Sequence, residues 1–182
     1  MSRVAKAAVG LMAATLVAKI LGFGRELALA SAYGASGVSD AFLVAMNIPA
    51  VIFTAIGTSL GTAFIPLYCE VNANKGEQSS NKFTNNVFNI VVIICIVISV
   101  IGAIFTPQIV KIFAVGFEGE TLRLAIYFTR VMILGLAFLG MSYIMMAYLQ
   151  VKENFIIPGF MSVPYNILII ISIIVSVKIS PY

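Results

Sequence analysis

Apolar residues in this chain come in long unbroken runs, with the polar ones gathered in short gaps between them. The runs cover about residues 4–33, 40–70, 83–105, 121–149 and 155–177. A helix needs about 20 apolar residues to cross the roughly 30 Å hydrocarbon core of a bilayer, and each run reaches that length. Strands of a transmembrane barrel would instead alternate apolar and polar positions over about ten residues. Residues 89–105 are apolar apart from Asn89 and Ser99 and show no such alternation. The pattern predicts an all-α, polytopic helical membrane protein with about five spans. Residues 108–115 are too few to cross. With Lys111 set among Ile109, Val110, Ile112 and Phe113, they predict a short interfacial helix.

The gaps carry turn and cap chemistry. Gly34 to Gly37 is the first turn, with Ser39 as a candidate N-cap and Asp40 in the favourable first turn of the second helix. Residues 71–82 form a hydrophilic loop, Thr106-Pro107 closes the third span, and Gly116 to Glu120 make an acidic turn. Residues 150–154 make a short polar turn ahead of a last span that carries Pro158 and Pro164. The first run, thirty residues of helix, would extend about 45 Å, so it must tilt, bend or protrude. Gly22 and Gly24, flanking Phe23, are candidate bend positions, and Pro49 and Pro66 are candidate kinks in the second helix. Gly57 and Gly61, four apart and interleaved with Thr54, Thr58 and Thr62, suit close helix packing or a polar lining.

Composition sharpens this picture. Of 182 residues, 61% are hydrophobic and 10% charged, and the mean hydropathy is +1.08. Soluble domains carry about 25% charged residues. The net charge of +4 is scattered, so nucleic acid is not an expected partner. Histidine is absent, and Cys69 and Cys95 have no metal or redox spacing, so no metal, cofactor or enzymatic chemistry is expected. Both cysteines are expected to pack as small hydrophobes. The basic start, Arg3 and Lys6, precedes an apolar run longer than a signal peptide's and reads as a retained first span. With five spans, Arg3, Lys6, Lys75, Lys82 and Lys152 fall on one side and Lys111, Arg123 and Lys178 on the other. The positive-inside rule then places the N-terminus in the cytoplasm.

One stretch breaks the rule that spans are uncharged. Lys19, Arg25 and Glu26 lie inside the first run, at about 2.5–3.5 kcal/mol each for a central position. Lys19 and Glu26 are seven apart and share a helix face, with Arg25 about 120° away from Lys19. Arg25 and Glu26, being adjacent, do not face each other squarely, so each is expected to find a partner on another helix, with Asp40 one candidate. Two readings fit. Lys19 and Arg25 line a cationic cavity for an anionic, phosphate-bearing ligand, with Glu26 and Asp40 as switchable ion-pair partners. Alternatively, the charges form a structural cluster that fixes helix register.

The same residues carry a resemblance. Leu21-Gly22-Phe23-Gly24-Arg25-Glu26, Tyr33-Gly34-Ala35, Ser39-Asp40-Ala41-Phe42, Ile48-Pro49 and Ala63-Phe64-Ile65-Pro66 resemble the start of the MurJ/MviN family of lipid II flippases. Val115-Gly116-Phe117, Leu149-Gln150, Phe155, Pro158 and Asn166 continue the pattern in order. The resemblance implies a fold of the multidrug/oligosaccharidyl-lipid/polysaccharide exporter superfamily, with two lobes, a central cationic cavity and alternating access. It implies lipid II, or a similar polyprenyl-pyrophosphate-linked sugar, as substrate. Lys19 and Arg25 match the family's first-helix cations, Glu26 its acid, and Asp40 the aspartate of its Asp-Ala-Phe motif. Residues 50–53, Ala-Val-Ile-Phe, hold no basic residue where the family often has one, which keeps another polyprenyl-linked saccharide or a cation-coupled drug as alternative cargo. A non-transporting membrane scaffold is the alternative outside transport. Five spans are fewer than a lobe of such a transporter, so the chain is expected to be the N-terminal part of a longer protein, completed by a C-terminal lobe.

Overall fold

The computed structural model describes residues 3–179, without the side chains of residues 3–8 and 55. The basic flank of Arg3 and Lys6 therefore lies outside the described side chains. Eight helices and no strand occur among the described residues, as an all-α fold requires. They are α1 (Arg3–Tyr33), α2 (Gly37–Lys75), α3 (Glu77–Ile104), α4 (Thr106–Phe113), α5 (Gly119–Ile133), α6 (Leu136–Val151), α7 (Ile156–Phe160) and α8 (Ser162–Ile179). Among the described residues, Gly37–Lys75, Glu77–Ile104 and Ile156–Ile179 are each long and apolar enough to cross a membrane. The bent pair α5 and α6 is a fourth such stretch if it counts as one.

The chain divides into two compact units, Met1–Ser39 with Lys152–Tyr182, and Asp40–Val151. In the first unit α1 packs along α7 and α8. A Cβ on Gly159 would lie 2.9 Å from the Ala14 Cβ, and one on Gly10 would lie 3.4 Å from Ile156 Cγ1. The two backbones therefore approach closely where a side chain is missing. Further along, Gly24 faces Ile170 at 4.0 Å, and the Tyr33 hydroxyl meets the Ser176 hydroxyl at 2.5 Å. Positions rise together on both sides of this seam, so α1 and α8 run parallel.

The second unit is built inside out relative to a soluble core. The buried stripe of α3 is small and partly polar: Ser80, Thr84, Val91, Cys95, Ser99 and Gly102. Its isoleucines at 90, 93, 94, 96, 101 and 104 are exposed instead. Lipid is as apolar as isoleucine, so helices associate through close van der Waals fit, and small residues supply the fit. A Cβ on Gly140 of α6 would stand 2.6 Å from Cys95 Sγ, and one on Gly57 of α2 would stand 2.9 Å from the Tyr143 ring. Phe53 closes this cluster against Tyr143, with ring centroids 5.2 Å apart, alongside Val91, Ile133, Leu136 and Ile144. A second cluster joins Ala41 and Ile48 of α2 to Val110 beside α4's Lys111 and to Ala125 of α5.

Several expected boundaries shift, each for a local reason. The loop expected over 71–82 is almost wholly helical, interrupted at Gly76, whose φ of 77° suits only glycine. Ser39 does not cap α2; its hydroxyl donates to the Gly34 carbonyl at 2.9 Å. Ser36 takes the cap position, accepting the Ser39 N–H at 3.4 Å. The run 121–149 is two helices bent by 44°, because the Gly135 N–H bonds the Met132 carbonyl and tightens the turn. The last run breaks at Met161, between α7 and α8. There Pro164 has no N–H to offer the Phe160 carbonyl. By contrast α1 passes through Gly22 and Gly24, and α2 through Pro49 and Pro66, without leaving helical geometry. Of the cysteines, Cys95 is buried as expected, and Cys69 is exposed. Gly57 packs as expected, while Gly61 has nothing within 4 Å.

The Gly140 contact gives a direct test. Gly140→Ala forces its methyl group against Cys95 Sγ and is expected to cost about 1–3 kcal/mol, read as a lower thermal unfolding temperature in detergent. Adding Cys95→Ala removes the clash and is expected to recover most of the loss; a double variant no better than Gly140→Ala would refute the packing.

Candidate functional site: a cationic cleft on the first helix

The first unit contains a cleft of about 480 Å³, lined from α1 by Thr15, Ala18, Lys19, Gly22, Phe23, Arg25 and Glu26, and from α7 and α8 by Gly159, Ser162 and Asn166. The helices touch at Ala14 and Gly159. Beyond that contact the missing side chain of Gly22, with nothing within 4 Å of its Cβ position, helps keep the space open. The volume is within the roughly 300–1,000 Å³ of ordinary ligand sites.

The charges are arranged simply. Arg25 Nη2 donates to Glu26 Oε1 at 2.7 Å, with the two side chains 21% and 50% exposed. The expectation that each would find a partner on another helix is therefore corrected. The reason is compositional: within this unit the only acidic side chain besides Glu26 is Glu153, and α7 and α8 carry none. Arg25 thus swings its long stem round to its neighbour. Lys19 is exposed and makes no ion pair among the described residues. The three side chains sum to one positive charge. Arg25 spends one N–H on Glu26 and keeps others free to meet an anion.

Lys19, Arg25, Glu26 and Gly22 of the predicted site residues line one cleft. Gly24 lies on the same helix against Ile170. Asp40 belongs to the second unit, exposed in the first turn of α2 as expected and without an ion pair among the described residues. Pro49 and Pro66 also belong to that unit, inside α2. Thr54, Thr58 and Thr62 turn their hydroxyls back on their own helix, to the carbonyls of Ala50, Thr54 and Thr58. Sequence reasoning did not assign a role to Ser162 or Asn166. The available signal was a pair of polar residues four apart, on one face of an otherwise isoleucine-rich helix.

The profile of the family described as lipid II flippase MurJ matches residues 29–180. The chain belongs to this family. A probable lipid II flippase MurJ of Buchnera aphidicola subsp. Baizongia pistaciae is 30% identical over 171 residues, covering 92% of this chain and 33% of that protein. The probable lipid II flippase MurJ of Aquifex aeolicus is 30% identical over 163 residues, covering 88% and 32%. The lipid II flippase MurJ of Burkholderia cenocepacia is 28% identical over 157 residues, covering 84% and 30%. The chain thus spans about a third of the length of these MurJ relatives. No solved structure matches it. Lys19, Arg25 and Glu26 precede the matched MurJ segment, so their grouping rests on the geometry of the cleft.

An ion pair this accessible to solvent contributes less than about 1 kcal/mol. Glu26→Gln is therefore expected to leave folding unchanged and to tighten binding of inorganic pyrophosphate by up to about five-fold. Calorimetric titration reads this, and weaker binding by the variant would contradict a cationic role for Arg25.

Proposed function

We propose that this chain is the N-terminal part of a flippase that moves a lipid-linked peptidoglycan precursor, lipid II, across the bacterial cytoplasmic membrane by alternating access. The observation that carries the reading is the cleft itself: Lys19 and Arg25 on an apolar helix, facing a space with net positive charge. Family membership supplies the class of cargo. In this reading Lys19 and Arg25 hold the pyrophosphate, Arg25 through its planar fork and Lys19 as a point charge. Glu26 competes with the ligand for Arg25, and Asp40 serves as a further switchable acid. A ligand shifts such a two-state device only by its differential affinity for the states, and an exchangeable Arg25–Glu26 pair provides one. Completion of the pathway falls to a C-terminal lobe.

The five-span reading is part of this proposal. Parallel α1 and α8 require an odd number of crossings between them. Counting α2, α3 and the bent α5–α6 pair as one crossing each gives three, which supports a single broken span over α5 and α6. The N-terminus then lies in the cytoplasm, with α4 at the outer interface. Cargo other than lipid II stays as the second reading, favoured by residues 50–53, where no basic side chain occurs.

Three measurements test this. In the complete gene product Arg25→Ala is expected to abolish lipid II translocation, with membrane insertion unchanged; normal flipping would sink the role. Complementation of a flippase-depleted strain separates lipid II from other cargo. For topology, single cysteines in a cysteine-free background are expected to react with an impermeant reagent from outside at position 118, and to be protected at positions 78 and 153. The reverse pattern would invert the orientation.

A further inference from the structure

The cleft has a neutral wall as well as a charged one. Asn166 is buried at 6% exposure, and its Nδ2 donates to the Ser162 carbonyl at 2.8 Å. That bond holds the amide in one orientation and leaves Oδ1 without a partner among the described residues. Other hydroxyls of α8 turn their protons to their own helix: Ser172 donates to the Leu168 carbonyl and Ser176 to that of Ile173. Thr15, across the cleft, likewise donates to Leu11. Ser162 also lines the cleft, with a hydroxyl that can rotate; Asn166 is the α8 side chain that brings an acceptor held in one orientation to it.

The chemistry of that acceptor limits what it can meet. A carbonyl oxygen pairs only with a donor. Phosphate oxygens at neutral pH offer none, so the part of a ligand held by Lys19 and Arg25 cannot satisfy it. We propose that Asn166 is a specificity residue that accepts a hydrogen bond from a hydroxyl or amide N–H of a sugar attached to the anionic group, with the Ser162 backbone fixing its amide. The inference rests on the reading of the cleft as an anion site and adds a second subsite to it. Charge on α1 grips the pyrophosphate, and the amide on α8 reads the sugar beside it. A site built to pair a substrate hydroxyl or amide discriminates strongly against an analogue without it, because its own polar group is then left unpaired.

The test uses the complete gene product in nanodiscs and two probes, undecaprenyl pyrophosphate without sugar and lipid II with sugars. Asn166→Leu, close in volume, is expected to weaken lipid II binding by about ten-fold, the size of one lost neutral hydrogen bond, and to leave the sugar-free probe unchanged. That unchanged binding also shows the variant is folded. Asn166→Ala is expected to show the same split, and Asn166→Gln to restore part of it. Equal weakening of both probes, or no effect on either, overturns the specificity role. Arg25→Ala is expected to weaken both probes; if it weakens neither, the anion-site reading fails, whatever the Asn166 variants do.

Discussion

Charge inside an apolar helix is the constraint on which the first unit depends. Lys19, Arg25 and Glu26 cannot be left against hydrocarbon at their full cost. The unit answers with two devices: a cleft that gives all three side chains space and polar company, and a short bond between two of them. The cleft exists because α1 meets α7 closely at Ala14 and Gly159 and then faces residues of α8 that do not fill the gap. Along the same seam α1 and α8 run parallel.

The second unit obeys a different consequence of the same solvent. Apolar side chains gain little from one another in lipid, so the core is selected for fit. Gly140 against Cys95 and Gly57 against Tyr143 are contacts that a single added carbon would disrupt. The large isoleucines of α3 are turned outward. Breaks fall where the backbone chemistry allows them: a left-handed Gly76, a tightened turn at Gly135, and the missing N–H of Pro164. Proline alone does not decide the matter, because α2 continues through Pro49 and Pro66.

Apolar run lengths alone determined that this is an all-α, multi-pass membrane protein, because hydrocarbon thickness fixes how many apolar residues a crossing needs. They also located the anomaly at Lys19, Arg25 and Glu26, since charge in such a run is visible without coordinates. Ordered motifs from Leu21 to Asn166 pointed to the family. Tertiary structure decided who pairs with whom. A helical wheel separates Arg25 from Glu26, yet they bond, because no carboxylate stands on the helices opposite and a long side chain can swing. It decided that Ser36 rather than Ser39 caps α2, and that the fourth run bends by 44°. It also placed Asn166 across from the cations. Spacing along one helix carries no information about which residue of a distant helix lies opposite; only the packing of α8 on α1 supplies it.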